Sequence, residues 1–220
     1  QQRNANGVNI DFEGMPSSQK TAFTNFMINL CNQMHSAIPG SQVSMALYSV
    51  DWNGVFDMPA LNPYVDLFII MGYDYYYGGS ATAGPNDPLY HFGTTYNYTL
   101  SKSISYYLNK GASPNKLILG LPYYGREYTT TSNSIPSSVL NPPNSVTRTF
   151  TTVMLNTGGN YTNANKNWNA DSFSPYWMFQ SGGNWKQCFV DDGYSMRKRF
   201  DMVNQRGIGG IGIWALGYDD

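Results

Sequence analysis

The chain has 220 residues, of which 12% are charged and 15% are aromatic, and its formal net charge is −1. This length allows one large domain or two small ones with a sizeable core. The near-zero charge gives no electrostatic footprint for nucleic acid or an anionic membrane, and no apolar run approaches the ~20 residues that span a bilayer. The charged fraction is roughly half of the usual share, and a surface of hydroxyls, amides and Tyr suggests a secreted protein that acts on carbohydrate.

The predicted elements alternate between strands and helices along the chain. Strands are predicted over residues 7–13, 42–50, 65–73, 117–124 and 210–216, and helices over 17–38, 58–63 (a short helix or a turn), 100–110 and 194–205. The run at 65–73 (VDLFIIMGY) is largely apolar, as in a strand buried on both faces of a parallel sheet. The order predicts an α/β fold with a parallel sheet.

One long segment interrupts this alternation. Residues 126–187 are too many for a loop in a compact domain, and they mix Thr-rich runs typical of strands with the turns TGGN and SGGN. We predict a small inserted subdomain, so that the chain divides into residues 1–125, 126–187 and 188–220. Tyr176, Trp177 and Trp185 of this segment could stack on sugars, or they could pack the subdomain's own core.

Few residues are available for metal or redox chemistry. Cys31 and Cys188 could pair in an oxidising compartment, although two buried free thiols are at least as common. His35 and His91 are the only histidines, and neither CxxC nor HxxxH occurs, so we expect no metal site and no cofactor. The patterns starting at Asn97 and Asn160 fit N-glycosylation, which matters only in a eukaryotic secretory host.

Carboxylates and aromatic rings gather where the predicted strands end. In the first strand Asn9, Asp11 and Glu13 alternate with apolar residues, so all three would share one crowded inner face. Ligands of α/β sheets and barrels bind at the carboxyl ends of the strands. The other strand ends supply Met71, Tyr73, Asp74, Tyr123, Tyr124 and Trp214.

Carboxylates and aromatic rings without a metal or a nucleotide-binding loop suggest glycoside hydrolysis. Most glycosidases place two carboxylates about 5–5.5 Å or 6.5–9.5 Å apart across the bond that they cleave. Asp11 and Glu13 lie side by side on one strand and cannot readily flank a bond from opposite sides. One of them would be the acid, and the nucleophile has to come from elsewhere.

The motifs resemble those of the family 18 glycoside hydrolases, the chitinase family. The family signature D-G-x-D-x-D-x-E reads N-G-V-N-I-D-F-E over residues 6–13. Further matches follow in the family's order: MGYD (71–74), GLPYYGR (120–126), FVDDGYSMRKRF (189–200) and GIGGIGIWALGYDD (207–220). The resemblance implies a (β/α)₈ TIM barrel of which this chain supplies about strands 4–8, with a small α+β insertion between strands 7 and 8. The missing barrel strands would come from the rest of the native chain or from another chain.

The resemblance also implies substrate-assisted, retaining catalysis, in which the substrate's own 2-acetamido carbonyl attacks C1 to give an oxazolinium ion. Glu13 would be the general acid and then the base, Asp11 would hold the acetamide N–H, and Asn9 would support Asp11. Tyr73, helped by Asp74, would bind the acetamide oxygen.

Other residues would form the walls of the site. Trp214 would be the apolar floor under the sugar, and Tyr124 and Trp177 are further candidates for substrate binding. Met71 would be either pocket wall or plain core. Asn9 stands where the signature has its middle Asp and cannot share a proton with Asp11, which would alter the pH profile.

The expected function is therefore hydrolysis of β-1,4 bonds in N-acetylglucosamine polymers, chitin above all, outside the cell. Peptidoglycan and N-glycan cores remain alternatives, because the catalytic residues would be the same. A chitin-binding, lectin-like protein without turnover is a further alternative, although the retention of Glu13 argues against it.

Overall fold

The structure is a computed structural model, and it describes residues 5–94 and 98–220. The N-glycosylation pattern at Asn97 therefore begins outside the described residues. The chain divides into two compact units: the first comprises Gln1–Met71, Ser103–Gly120 and Val203–Gly212, and the second comprises Gly72–Lys102, Leu121–Met202 and Ile213–Asp220.

The elements alternate much as the sequence predicts. The α-helices are α1 (Lys20–Ala37), α2 (Met58–Leu61), α3 (Leu100–Asn109), α4 (Phe150–Met154) and α5 (Gly193–Arg206), and single 3₁₀ turns occupy Ser17–Gln19 and Pro114–Lys116. The strands are β1 (Gly7–Ile10), β2 (Gln42–Leu47), β3 (Leu67–Met71), β4 (Thr82–Ala83), β5 (Leu117–Pro122), β6 (Tyr124–Thr130), β7 (Ser137–Ser138), β8 (Ser145–Thr149), β9 (Lys166–Asn169), β10 (Ser174–Ser181), β11 (Asn184–Phe189) and β12 (Gly210–Trp214).

The first unit is built on a five-stranded sheet with the order β1-β2-β3-β5-β12. The pairs β1–β2, β2–β3 and β3–β5 are parallel, which confirms the predicted α/β class. β2 buries Val43 to Leu47 almost without interruption, and α1 buries Phe23, Met27 and Cys31 at steps of four residues. The assignment of the five strands to barrel strands 4–8 stays a prediction.

The second unit contains an antiparallel sheet with the order β8-β6-β11-β10-β9. Its strands run from Tyr124 to Phe189 and include the insertion predicted over residues 126–187. Its core is formed by six buried residues: Val153, Tyr161, Trp177, Phe179, Cys188 and Val190. The division into three domains stays a prediction, since the two compact units cut the chain at other positions.

The first strand is shorter than its alternating sequence predicts. β1 ends at Ile10, so Asp11 and Glu13 follow the strand and do not share a strand face with Asn9. Beyond the end of the strand, the Phe12 ring stacks on Phe26 of α1, with the centroids 5.6 Å apart. All three polar residues are exposed, which corrects the expectation that they are crowded inside the protein.

Two expectations concern the chain's environment. Cys31 and Cys188 are both buried free thiols, so the structure favours the unpaired alternative. Within residues 5–94 and 98–220, no helix is both long and apolar enough to cross a membrane.

Candidate active site

The first unit contains two of the carboxylates that the sequence predicts for catalysis. Asp11 and Glu13 lie just beyond β1, and Met71 ends β3. Because β1, β2 and β3 are parallel, these residues lie at the same edge of the sheet. Met71 is half-buried, which leaves both of its predicted roles open.

Asn9 is fixed by a serine of the neighbouring strand. The Ser44 hydroxyl donates a hydrogen bond of 2.9 Å to Asn9 Oδ1, and Ser44 is itself buried. Asn9 and Ser44 are partners in the register of β1 and β2. This contact orients the amide at the position where the family signature has its middle acid.

The segment that carries Glu13 is held by Tyr48, which follows β2 and which the sequence analysis missed. The Tyr48 hydroxyl donates to the Phe12 carbonyl oxygen and accepts from the Met15 backbone N–H, each at 3.1 Å. Gly14, between Glu13 and Met15, has a φ of +69°, in the left-handed region that glycine tolerates. Glu13 is therefore exposed on a bend whose backbone is fixed on both sides.

The second unit contains a cluster of its own, formed by aromatic residues and one carboxylate. The Tyr124 hydroxyl donates a hydrogen bond of 3.1 Å to Asp74 Oδ1, and the Tyr73 and Tyr124 rings meet edge-on, with centroids 6.1 Å apart. Arg126 Nη2 lies 3.9 Å from the same carboxylate oxygen. Burial raises the pKa of Asp74, while Arg126 and the Tyr124 hydrogen bond act against that rise.

Asn86, which the sequence analysis also missed, joins these two residues through their backbones. Its side-chain oxygen accepts from the Asp74 N–H at 2.8 Å, and its side-chain nitrogen donates to the Tyr124 carbonyl at 3.1 Å. Asn86 is 3% exposed. Asp74 has a φ of +57°, which is uncommon for a residue with a Cβ, so fixing its amide also fixes where its carboxyl group points.

Trp214 ends β12 with its side chain 54% exposed, and its carbonyl accepts a hydrogen bond of 2.7 Å from the Tyr123 N–H. The peptide bond between Trp214 and Ala215 is cis. The indole is exposed, and its role as the apolar floor under a sugar stays a prediction.

Trp177 does not fit its predicted role. It is 3% exposed and belongs to the core of the antiparallel sheet, and Lys166 Nζ lies 5.3 Å from the centre of its ring. An indole with almost no exposed surface cannot stack on a sugar, so the structure selects the other alternative, in which Trp177 packs the subdomain. Tyr124, the other candidate for substrate binding, is 7% exposed, so its ring offers no face to a sugar either.

The loop after Asp74 adds aromatic surface that the sequence analysis did not single out. An open pocket of about 440 Å³ is lined by Tyr75, Tyr76, Tyr77, Gly79, Ser80, Ala81 and Thr82. Tyr77 is 53% exposed, whereas Tyr75 and Tyr76 are buried. Three consecutive tyrosines after a strand end were the signal that could have pointed to this pocket.

Among the residues that the structure describes, no group of three or more His, Cys, Asp or Glu side chains is placed to hold a metal ion. Exposed carboxylates on one unit, and a tyrosine–aspartate pair with an exposed indole on the other, are groups suited to acid–base chemistry on a sugar.

Comparison with known proteins identifies the family. The family model described as glycosyl hydrolases family 18 matches residues 1–219. The chain is 28% identical over 179 residues to a probable endochitinase of Caenorhabditis elegans, a match that covers 75% of this chain and 28% of the relative. It is 24% identical over 235 residues to chitotriosidase-1 of Mus musculus, covering 97% of this chain and 49% of the relative.

Solved structures show the same fold. The Group IV chitinase of Ostrinia furnacalis, solved in complex with allosamidin, superposes with a TM-score of 0.86 at 22% identity, covering 100% of this chain and 63% of that one. The chain thus has a fold of the TIM-barrel type and spans less than two thirds of the length of these relatives. With the motifs, the fold and a family match over nearly its whole length, the chain belongs to glycosyl hydrolase family 18.

Proposed function

We propose that the protein containing this chain hydrolyses β-1,4 bonds in polymers of N-acetylglucosamine outside the cell, with chitin as the favoured substrate. One observation carries the proposal: the Glu13 side chain is exposed just beyond β1, at the position of the acid in the family signature. A general acid has to reach the glycosidic oxygen from the protein surface, and an exposed carboxyl group on a fixed bend meets that requirement.

Glu13 protonates the leaving oxygen and then, as a carboxylate, accepts a proton from the attacking water. Asp11 precedes it by two residues in the same exposed segment, so the two carboxyl groups cannot flank the bond as in a two-carboxylate glycosidase. By the resemblance to family 18, the nucleophile is the carbonyl oxygen of the substrate's own 2-acetamido group, and Asp11 holds the acetamide N–H while positive charge develops.

Asn9 supports Asp11 in a restricted way. Since Asn9 Oδ1 accepts from Ser44, the Nδ2 group is the part of the amide that remains to donate to Asp11.

The second unit binds the acetamide and the sugar faces. Tyr73 donates to the acetamide oxygen, and the Asp74–Tyr124 pair fixes the polar surroundings of that contact. Trp214 offers its exposed indole face to the apolar face of the sugar, and Tyr77 offers a second exposed ring.

The test is mass spectrometry of N-acetylchitohexaose incubated with the full-length protein and with its Glu13→Gln variant. We expect shorter oligomers from the parent and a rate at least ~100-fold lower for the variant, as for the loss of a general acid. Asp171→Asn, which removes an exposed carboxylate of the second unit, is the matched control and should leave the rate unchanged.

Substrate assistance is tested with the fully de-N-acetylated hexamer, which lacks the internal nucleophile and should not be cleaved. Products should appear first as the β-anomer by NMR, as retention requires. Cleavage of the de-N-acetylated hexamer, or inversion, would contradict the mechanism. Cleavage of peptidoglycan or N-glycan cores in place of chitin would select another substrate, and binding without turnover would favour a lectin.

A further inference from the structure

We propose that Tyr48 is a positioning residue for Glu13: its hydroxyl spans the bend Phe12–Met15 and holds the acid in its exposed orientation. This inference rests on the proposed function for the role of Glu13. It goes beyond that function because Tyr48 belongs to none of the motifs that carry the family resemblance.

The bend has the layout of a β-turn with a hydroxyl group in the middle. In an ordinary turn the carbonyl of the first residue accepts from the N–H of the fourth, and a glycine with positive φ at the third position is typical of type II. Here Phe12 is the first residue, Gly14 with its φ of +69° is the third and Met15 is the fourth. The Phe12 carbonyl and the Met15 N–H each bond to the Tyr48 hydroxyl instead.

A single hydroxyl suits this role because it donates once and also accepts. The Tyr48 O–H donates to Phe12 and its oxygen accepts from Met15, so both backbone groups are satisfied at 3.1 Å. The hydroxyl oxygen lies between the two backbone groups and widens the turn by one atom. Glu13, the second residue of the turn, lies outside it and is exposed. A direct Phe12–Met15 bond would tighten the bend and change the direction of the Glu13 side chain.

Tyr48 is itself fixed, which a positioning residue requires. The hydroxyl of the fully buried Tyr107 donates to the Tyr48 carbonyl at 2.6 Å. The Tyr48 ring packs on Phe56, with the centroids 5.0 Å apart. The phenol therefore reaches the bend from a rigid base.

The flanks of the bend are fixed by other contacts, so Tyr48 controls only its centre. Phe12 stacks on Phe26, and Asn53 donates to the Met15 carbonyl at 3.0 Å. These contacts survive the loss of the Tyr48 hydroxyl. Tyr48→Phe should consequently leave the protein folded while freeing the Glu13 segment.

The test compares Tyr48→Phe with Tyr64→Phe, which removes the same atom from a more exposed tyrosine of the first unit. For the full-length protein we expect kcat on N-acetylchitohexaose to fall about 10- to 100-fold in Tyr48→Phe, as for a misplaced catalytic group, with KM and the melting temperature close to those of the parent. In the Glu13→Gln background the same change should have no further effect, because Tyr48 acts through Glu13. An equal effect of Tyr48→Phe in both backgrounds, or an unchanged kcat, would overturn the proposal.

A second readout does not depend on activity. In Tyr48→Phe the Met15 amide should exchange its hydrogen faster, and the ¹⁵N order parameter at Glu13 should fall, whereas both stay unchanged in Tyr64→Phe. If the parent protein cleaves no substrate, the proposed function fails while this readout still decides whether the hydroxyl holds the bend. Unchanged exchange and order would refute the role of Tyr48 whatever the activity.

Discussion

The fully buried Arg199 is the residue whose loss should destabilise the second unit most. Its Nε lies 2.6 Å from Asp87 Oδ2 and 3.1 Å from Asp191 Oδ2, and both aspartate side chains are 4% exposed. Its other nitrogens donate to the carbonyl oxygens of Asp87, Phe173 and Ser195 at 2.8–3.1 Å. Arg199→Met keeps an unbranched apolar stem and removes the guanidinium group, with its charge and every donor.

The loss of stability follows from the aspartates that stay buried after Arg199 is removed. Removing one partner of a buried ion pair typically costs about 3–5 kcal/mol, because the other charge stays buried without compensation. For a domain of 150–250 residues, 1 kcal/mol lowers the melting temperature by about 2–4 °C. Arg199→Met should therefore lower the melting temperature of this domain by about 6–20 °C at neutral pH.

The pH dependence follows from Asp191. Burial holds the pKa of Asp191 well above its usual range, and Arg199 acts against that rise. Without Arg199 this pKa rises further, so ionising Asp191 in the folded state costs more. A raised carboxyl pKa costs nothing below the unfolded value of about 3.9 and destabilises increasingly as the pH rises. The difference between variant and parent should be smaller near pH 4 than near pH 7.

The assay is differential scanning calorimetry of the full-length parent and variants at several pH values between about 4 and 7. Arg197→Met, an exposed arginine two residues earlier on α5, is the matched control. The double variant Arg199→Met/Asp191→Asn should recover part of the loss, because it removes one uncompensated carboxylate. The reasoning would be refuted if Arg199→Met melted within about 2 °C of Arg197→Met at neutral pH, or if its deficit grew as the pH fell.

Two further changes test contacts of the second unit. Asn86→Ala removes both hydrogen bonds of the side-chain amide that links Asp74 and Tyr124, and it should lower kcat/KM about 10-fold or more. The control is Asn62→Ala, which removes a comparable amide bridge in the first unit and should leave kcat/KM unchanged. A similar loss in both variants would point to general destabilisation. Gly125→Ala would place a Cβ 1.8 Å from the Phe189 carbonyl oxygen, so β6 and β11 must move apart; we expect a loss of about 1–3 kcal/mol by chemical denaturation, as for overpacking, and an unchanged midpoint would contradict this contact.

Local periodicity and motif order were enough to predict the α/β class and the family. The apolar steps of α1 and the apolar run of β3 are patterns within one element, and each element formed within a few residues of its predicted bounds. The motifs at residues 6–13, 71–74, 120–126 and 207–220 are likewise local in sequence. Such signals survive in a bare sequence because neighbouring residues produce them.

Burial and partners were decided by the tertiary structure. The alternation of Asn9, Asp11 and Glu13 predicted a buried strand face, but β1 ends at Ile10 and all three residues are exposed. Alternation along the chain does not show whether a strand face is covered by other parts of the molecule. Trp177 belongs to the hydrophobic core of the antiparallel sheet, although the sequence around it is equally compatible with an exposed indole that stacks on sugars.

The groups that fix the candidate site were also invisible in the sequence. The Tyr48 hydroxyl bonds to residues 33 and 36 positions away, and Asn86 joins residues from two different strand ends. A hydrogen bond between segments that are distant in sequence produces no recognisable sequence pattern around either residue. The sequence by itself therefore determined the elements and the family, whereas the tertiary structure decided which side chains are exposed and what holds them in place.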